Sequence, residues 1–209
     1  RQSDLMIFDE PEAGIDLWSF ARLTETFEQI HQEGHATMII ISHQERIIQL
    51  ADEIIVVSGG ASRMESVQKG LAAVSEGTQL VAVHDGARPL VPAEVITKAV
   101  AKAAKFGAAA PAIPVKDTIK VSESGAVDAT PRRETLFAVQ TPQVFDVDLL
   151  RGALQNAAEH GLALTDDCSA VEALGMSVQL TEGSEENIKI TTPLDLELAE
   201  AIVARRGRR

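Results

Sequence analysis

The chain has 209 residues, a formal net charge of −12 and 45% hydrophobic residues. This length fits one large domain or two small ones, and the hydrophobic share is enough for a buried core. The strong negative charge argues against a nucleic-acid partner, because phosphate backbones repel an acidic surface. No apolar run approaches the length of a membrane span, so we expect no membrane partner.

Cys168 is the only cysteine in the sequence. A disulfide within the chain is therefore excluded, and a reducing compartment is favoured. We accordingly expect a cytoplasmic protein.

Short apolar runs alternate with amphipathic stretches along most of the chain. Before residue 58 the alternation predicts strand, helix, strand, helix and strand at 5–8, 17–33, 37–42, 43–51 and 53–57. After residue 58 it predicts helix, strand, helix and strand at 64–75, 80–83, 92–105 and 109–115. This βαβ rhythm is typical of a doubly wound, mostly parallel sheet, so we predict an α/β, Rossmann-like fold.

The rhythm breaks at 116–136, where two extended stretches flank the turn-rich sequence Ser122-Glu123-Ser124-Gly125. This pattern predicts a β-arm that protrudes from the sheet. The α/β pattern then resumes with helices at 146–159, 166–174 and 194–205 and strands at 176–181 and 187–191.

Two carboxylates, Asp9 and Glu10, follow the first apolar run, and His43 follows the second. At the end of a parallel strand, an aspartate can help to hold Mg²⁺ and a glutamate can polarise a water molecule. Residues 1–57 resemble ATP-binding-cassette ATPases of the iron–sulfur assembly type. The resemblance makes Asp9 the Walker B aspartate, Glu10 the catalytic glutamate, Asp16 the aspartate of the dimer-interface loop and His43 the switch histidine.

The alternative for this front segment is that Asp9 and Glu10 cap a strand and His43 caps a helix. The chain also contains no G-x-x-x-x-G-K-[ST] loop, which would cradle the β- and γ-phosphates of ATP. We therefore predict that these ATPase-like remnants turn over no ATP.

From residue 59 onward a second series of motifs begins. It consists of Gly59-Gly60-Ala61-Ser62-Arg63-Met64-Glu65-Ser66, His84-Asp85-Gly86-Ala87-Arg88-Pro89, Lys116-Asp117-Thr118, Arg133-Glu134, Leu164-Thr165-Asp166-Asp167 and Asn187-Ile188-Lys189. This series resembles the 2-C-methyl-D-erythritol 4-phosphate cytidylyltransferase family of isoprenoid biosynthesis. The resemblance implies a nucleotidyltransferase-like fold, CTP and methylerythritol phosphate as substrates, and Mg²⁺ as cofactor.

The resemblance also implies roles for individual residues. Asp85 and Lys189 would be catalytic, with Asp85 near the substrate or Mg²⁺ and Lys189 neutralising the reacting phosphates. A nucleotide-binding turn would place Gly59, Gly60 and Ser66 beside the cytosine and ribose. The alternatives are a turn cap for Asp85, a solvated Lys189 and an empty strand–helix turn.

The substrate-binding residues implied by the resemblance are Arg88, Thr118, Arg133 and Thr165. In the family, β-arms of two subunits interlock and reach the neighbouring substrate, so a homodimer through the arm at 116–136 is expected. The guanidinium of Arg133 suits a phosphate. A solvated charge cluster is the alternative interpretation of Arg132, Arg133 and Glu134.

One part of the family pattern is missing from this chain. The family begins with a strand and a basic, glycine-rich loop that holds the CTP triphosphate, whereas residues 8–14 here are acidic. We interpret 1–58 as an ATPase-like β-α-β-α-β fragment and 59–209 as a cytidylyltransferase-like segment, joined in one continuous sheet. The hypotheses are an impaired or inactive cytidylyltransferase, a designed or accidental scaffold without activity, and an ATPase fragment.

Overall fold

The computed structural model describes residues 4–9, 36–41 and 57–207. Three of the ATPase-like remnants, Glu10, Asp16 and His43, lie outside these described residues. So do the helices predicted at 17–33 and 43–51 and nearly all of the strand predicted at 53–57.

Seven strands form one sheet in the described part of the chain. They are β1 (Asp4–Asp9), β2 (Ala36–Ile41), β3 (Leu80–Asp85), β4 (Ala108–Pro114), β5 (Phe137–Val139), β6 (Gln143–Asp146) and β7 (Gln179–Glu182). Their order across the sheet is β2-β1-β3-β6-β4-β5, and β7 pairs with β4 outside this path.

The sheet is mixed in direction. β1 is parallel to both β2 and β3, and β4 is parallel to β7. The pairs β3–β6, β4–β6 and β4–β5 are antiparallel. The sheet thus combines strands from both sides of residue 58, and its register places Asp9 of β1 beside Asp85 of β3.

Five α-helices follow residue 58, and with the sheet they confirm the predicted α/β fold class. They are α1 (Arg63–Ala72), α2 (Ala93–Phe106), α3 (Val147–Glu159), α4 (Asp167–Ala173) and α5 (Pro193–Arg206). Polar side chains at the N-caps, such as Ser62 before α1 and Asp166 before α4, accept hydrogen bonds from the first turn. These caps satisfy backbone N–H groups that have no partner inside the helix.

The core lies between the sheet and the helices that pack against it. Phe145 of β6 and Leu150 and Leu154 of α3 are fully buried in it. The strand β4 begins with three buried alanines, 108–110, whose small side chains let neighbouring elements approach the sheet closely. Burial of these apolar side chains is the main force that holds the helices on the sheet.

Two segments differ from the sequence prediction. Residues 187–191 were predicted as a strand, but they run as an irregular segment that the Ile190 N–H ties to Ala87 O at 2.8 Å. The 116–136 arm contains a single β-bridge, between Val121 and Ala129, so most of it is irregular rather than strand. In the part of the chain that the structure describes, no helix has the length and apolarity needed to cross a membrane.

Candidate active site

Three cationic side chains converge on the carboxylate of Asp85, the last residue of β3. Lys189 Nζ lies 3.1 Å and Arg88 Nε lies 3.5 Å from Asp85 Oδ2. Arg63 Nη2 lies 4.0 Å from Asp85 Oδ1. We call these four residues the Asp85 cluster. It stands at the carboxyl end of a parallel strand, which is where open α/β sheets bind their ligands.

A tight turn fixes Asp85 and Arg88 relative to each other. The Arg88 N–H donates to Asp85 O at 3.0 Å, and the Asp85 N–H donates to Thr141 Oγ1 at 3.0 Å. Arg88 Nη1 donates to Asn187 O at 2.8 Å. Because their backbone and side chains are both anchored, the two charged groups keep a defined geometry.

His84 supports this turn from inside the protein. Its Nε2 lies 3.0 Å from Arg88 O, so this nitrogen carries the proton and donates to the carbonyl. The Nδ1 then accepts from Thr141 Oγ1 at 2.9 Å. Burial lowers the pKa of His84 to about 4, so the ring is neutral at physiological pH.

Lys189 reaches the cluster from the irregular 187–191 segment. The buried Asn187 anchors this segment, since its Nδ2 donates to Thr141 O at 2.9 Å. Gln140 Nε2 donates to Ser184 O at 2.8 Å and holds the preceding residues. The same loop at 140–141 therefore positions Asp85 on one side and the Lys189 segment on the other.

Arg63 is a member of the cluster that the sequence analysis did not single out. It is the first residue of α1, and its Nη2 also lies 2.6 Å from Asp167 Oδ2. An arginine in the first turn of a helix is ordinarily solvated, so its position alone carried no signal. Its place three residues after Gly60, in a turn predicted to face the ligand, was the available clue.

The cations keep Asp85 ionised. Burial by itself would raise the pKa of Asp85, but the hydrogen bond and charge of Lys189, with the charges of Arg63 and Arg88, lower it below its ordinary value. Burial lowers the pKa of Arg88 against the effect of Asp85. The cluster is therefore a set of full charges at neutral pH.

The glycine turn before α1 leads into the cluster. The Gly60 N–H donates to Ser66 Oγ at 2.9 Å, and Ser66 Oγ donates to Ser62 O at 3.0 Å. A side chain at Gly60 would collide with Glu65, whose Cβ lies 2.4 Å from the position of an added Cβ. The turn thus needs glycine at position 60 for close packing, and the Ser66 hydroxyl is already used within the turn.

Thr165 lies just before α4, the helix that carries Asp167. Thr165 stands two residues before Asp167, the carboxylate that pairs with Arg63. Its N–H donates to Ser169 Oγ at 3.2 Å, within the cap of α4.

Thr118 and Arg133 lie on the exposed arm. Arg133 Nη1 donates to Lys116 O at 3.2 Å, inside the arm itself. Among residues 57–207, neither side chain forms a hydrogen bond or ion pair with the Asp85 cluster of the same chain.

A metal site is not preformed in residues 57–207, where no three His, Cys, Asp or Glu side chains are grouped as metal ligands. Asp85 is the carboxylate expected to face Mg²⁺, but both of its oxygens already face cations. One carboxylate whose oxygens already face cations does not hold a magnesium ion by itself, because an ion bound through a single carboxylate also needs the phosphates of a substrate.

The arrangement is chemically suited to a polyphosphate. Arg63, Arg88 and Lys189 present fixed positive charge around one crevice, and a phosphate group can share them with Asp85. Guanidinium groups bind two phosphate oxygens at once, whereas lysine supplies a compact point charge. Such positioned cations stabilise negative charge that builds up during phosphoryl or nucleotidyl transfer.

Solved structures of similar proteins share this fold. A 2-C-methyl-D-erythritol 4-phosphate cytidylyltransferase from Thermus thermophilus is 33% identical with a TM-score of 0.76, and the match covers 98% of this chain and 100% of that one. A 4-diphosphocytidyl-2C-methyl-D-erythritol synthase from Anaerococcus prevotii is 27% identical with a TM-score of 0.82 at the same coverage.

Sequence comparisons agree with the structural ones. A protein named 2-C-methyl-D-erythritol 4-phosphate cytidylyltransferase from Desulforamulus reducens is 46% identical over 196 residues, which covers 90% of this chain and 84% of that protein. One of the same name from Halalkalibacterium halodurans is 43% identical over 205 residues, covering 93% and 90%. The family model described as IspD, 2-C-methyl-D-erythritol 4-phosphate cytidylyltransferase, matches residues 8–205. This chain therefore belongs to the 2-C-methyl-D-erythritol 4-phosphate cytidylyltransferase family.

Proposed function

We propose that this protein transfers a cytidylyl group from CTP to 2-C-methyl-D-erythritol 4-phosphate, with release of pyrophosphate. The observation that carries the proposal is the convergence of Arg63, Arg88 and Lys189 on Asp85 in a chain of this family. The family's substrates are a triphosphate and a phosphate, which are both anions. The three cations around Asp85, at the end of β3, have the opposite sign of charge.

The reaction is a displacement at the α-phosphorus of CTP. A phosphate oxygen of the methylerythritol phosphate forms a bond to that phosphorus, and the bond to the bridging oxygen between the α- and β-phosphates breaks. Pyrophosphate leaves with that oxygen and its electron pair. The protein's task is to hold the two anions together and to stabilise the added negative charge.

In this proposal the residues of the cluster have distinct tasks. The side chain of Lys189 is half-exposed, and its ammonium group neutralises the reacting phosphates. Arg88 is anchored through Asn187 and orients the substrate phosphate, while Thr165 at the start of α4 donates a hydrogen bond to the substrate. Asp85 holds the cations in place before the anions arrive.

The nucleotide base and its metal complete the proposal. The turn at Gly59 and Gly60 reads the cytosine through its backbone, and Ser66 supports that turn rather than contacting the ribose. The phosphates of CTP would hold Mg²⁺, because the donor set around Asp85 does not suit an ion held by the protein alone. We assign no step to a metal held by the protein.

We further propose that turnover is slow. In residues 8–14 this chain has Phe-Asp-Glu-Pro-Glu-Ala-Gly where a basic, glycine-rich loop is expected, and Asp9 is placed in register beside Asp85. Loss of preorganised donors to the phosphates costs on the order of a hundredfold to a thousandfold in rate for each donor. A chain that folds like the family but lacks this loop is therefore expected to bind phosphates better than it reacts with them.

The family match begins at residue 8 and takes in most of the front segment. The resemblance of that segment to an ATPase, with Asp9 as Walker B aspartate, stays a prediction. We expect no ATP turnover that depends on Glu10, and phosphate release from ATP measured on Glu10→Gln tests this expectation.

The decisive experiment is pyrophosphate release from CTP in the presence of methylerythritol phosphate, compared with Lys189→Ala and Lys98→Ala. Lys98 is the matched control, because it is 49% exposed and pairs with Glu182, while Lys189 is 48% exposed and pairs with Asp85. We expect slow release that Lys189→Ala abolishes and Lys98→Ala leaves unchanged.

Two results would contradict parts of this proposal. Release at the rate of an ordinary family member would refute the impairment. No release, together with no binding of millimolar CTP by calorimetry, would leave the protein as a scaffold without activity.

A further inference from the structure

Arg63 is held between two carboxylates at the edge of the Asp85 cluster. Its Nη2 lies 2.6 Å from Asp167 Oδ2 and 4.0 Å from Asp85 Oδ1. The Arg63 side chain is nevertheless 41% exposed. The guanidinium is therefore fixed at one nitrogen and still accessible to a ligand from solvent.

Asp167 is a buried carboxylate with a defined anchor. Burial raises the pKa of Asp167, and the charge of Arg63 opposes that effect. The Asp167 side chain is 1% exposed, and a buried carboxylate is stable only beside a compensating cation. Its N–H donates to Gln143 Oε1 at 3.1 Å, and Gln143 Nε2 donates to Asp166 Oδ2 at 2.6 Å. Because Gln143 belongs to β6, these bonds fix Asp167 to the sheet.

We propose that Arg63 is a further phosphate-binding residue of this site and that Asp167 is its positioning residue. This inference rests on the proposed function, because it assigns to Arg63 the same polyphosphate that Lys189 and Arg88 would bind. It adds a guanidinium at the start of α1 to the set that the sequence analysis identified.

The distribution of contacts supports this assignment. Lys189 and Arg88 both approach Asp85 Oδ2, whereas Arg63 approaches Oδ1 from the other side. Within residues 57–207, the partners of the Arg63 guanidinium are Asp167 and Asp85, both through Nη2. A guanidinium has five N–H donors in a planar fork, so donors remain for two oxygens of a phosphate.

Asp167 explains why Arg63 faces the crevice. An exposed arginine with no fixed partner samples many rotamers, and ordering it on binding costs affinity. The ion pair with a rigid, buried carboxylate removes much of that freedom before a ligand arrives. Burial alone would lower the pKa of the Arg63 guanidinium, but Asp167, Asp85 and Asp166 raise it above its ordinary value, which keeps the charge in place.

The competing explanation is that Arg63 serves only to neutralise Asp167. In that case, removing both charges together would alter thermal stability and leave phosphate affinity unchanged. Arg63→Met alone would leave a buried carboxylate without its cation, so the informative removal is the double variant Arg63→Met/Asp167→Asn.

The test is calorimetric titration of sodium pyrophosphate into the wild-type protein and into Asp167→Asn, the double variant, Lys189→Ala and Lys98→Ala. We expect the double variant to bind about tenfold more weakly or worse, which is the usual effect of losing a charged hydrogen bond. Asp167→Asn keeps Arg63 but frees it, so we expect a loss of about threefold. Lys98→Ala should bind like the wild type.

Each outcome separates this inference from the proposed function. If Lys189→Ala weakens binding while the double variant binds like the wild type, Arg63 is only a structural partner and this inference is wrong. If Asp167→Asn lowers the melting temperature without changing affinity, the positioning role is wrong. If the wild type does not bind, or if Lys189→Ala binds like it, the proposed site itself fails.

Discussion

Asp85 balances the charges of the site while no anion is bound. Arg63, Arg88 and Lys189 surround it within 4.0 Å. Without Asp85 these cations would repel one another, and among residues 57–207 Asp167 would be the remaining carboxylate that pairs with one of them. A bound phosphate can take over part of this neutralising role. Asp85 is thus a residue whose loss should be partly compensated by an anion in solution.

Asp85→Asn tests this balance through stability. Because the cations are partly exposed and screened, we expect the free energy of unfolding to fall by about 1 kcal/mol at low salt. Pyrophosphate should then raise the melting temperature of Asp85→Asn more than that of the wild type, in thermal denaturation followed by circular dichroism. Asp148→Asn is the control, since Asp148 is 92% exposed. Equal shifts in Asp85→Asn and in wild type would argue against the balance.

His84 makes the stability of the site depend on pH. Its folded pKa of about 4 lies below the ordinary value of 6.5, so the unfolded chain binds the proton first as the pH falls. The stability is therefore complete above about pH 6.5 and decreases down to about pH 4, by about 3 kcal/mol in total. Urea denaturation at pH 7.5, 6 and 5 measures this loss.

The control for this prediction is His84→Gln, which cannot titrate. Carboxylates elsewhere titrate in both proteins, so the quantity of interest is the difference between their unfolding free energies at each pH. That difference should shrink as the pH falls from 7.5 to 5. A difference that is constant over this range would show that His84 is not held neutral.

At the scale of elements, the site depends on a loop packed against another loop. Gln140 Oε1 accepts from the Ser184 N–H at 3.1 Å, and it lies only 2.5 Å from where a Cβ of residue 183 would be. Such an atom would also lie 3.1 Å from the backbone of Ala112. Glycine at 183 is therefore what lets the segment that carries Lys189 sit against Gln140.

Gly183→Ala should disturb this packing in two measurable ways. We expect a loss of about 1–3 kcal/mol of stability from overpacking, and a weaker affinity for pyrophosphate because Lys189 moves with its segment. Gly152→Ala is the control, because no atom lies within 4 Å of an added Cβ in α3, and alanine favours a helix by about 1 kcal/mol. Unchanged affinity in Gly183→Ala would show that the two loops are not coupled.

The elements also show how far sequence patterns could predict this protein. The helices and buried strands from α1 to α5 follow the hydrophobic periodicity of the sequence closely. Burial in the core determines both the spacing of the apolar residues and the type of element that they form. The short antiparallel β6, with Gln143 at its start, was missed, since four residues give too little periodicity. The segment around Lys189 was predicted as a strand because it alternates, yet its hydrogen bonds go to turns and side chains.

The candidate site was predictable only in part, for a related reason. Asp85, Arg88 and Lys189 were recognised through their motifs, and the structure brings them together. Arg63 and the buried Asp167 could not be identified, because their pairing depends on how α1 and α4 meet. Contacts between elements distant in sequence leave no local pattern, so a sequence alone does not reveal them.

At the scale of the whole molecule, the arm is the least buried part of the described chain. Five large apolar side chains of the arm and of β5 are 39–59% exposed, namely Ile119, Val121, Val127, Phe137 and Val139. A group of large apolar side chains exposed on one part of a protein is typical of a surface that binds a partner. We infer that the arms of two copies interlock and that Thr118 and Arg133 act on the site of the neighbouring copy. This inference is consistent with the finding that, among residues 57–207, neither side chain forms a hydrogen bond or ion pair with the Asp85 cluster of its own chain.

Mixing two variants tests whether the arm acts in trans. Arg133→Ala removes the arm contribution and Lys189→Ala removes the cluster contribution, so each homodimer should have two defective sites. Random exchange gives half heterodimers, and each of these has one intact site, so we expect about a quarter of wild-type pyrophosphate release after mixing.

Light scattering on the wild type must first show a dimer. Phe137→Ser should shift the protein towards monomer, because this substitution removes the largest exposed apolar side chain next to the arm. If mixing restores nothing while each protein remains dimeric, Arg133 acts within its own chain or not at all, and the arm contributes to assembly without contributing to the site.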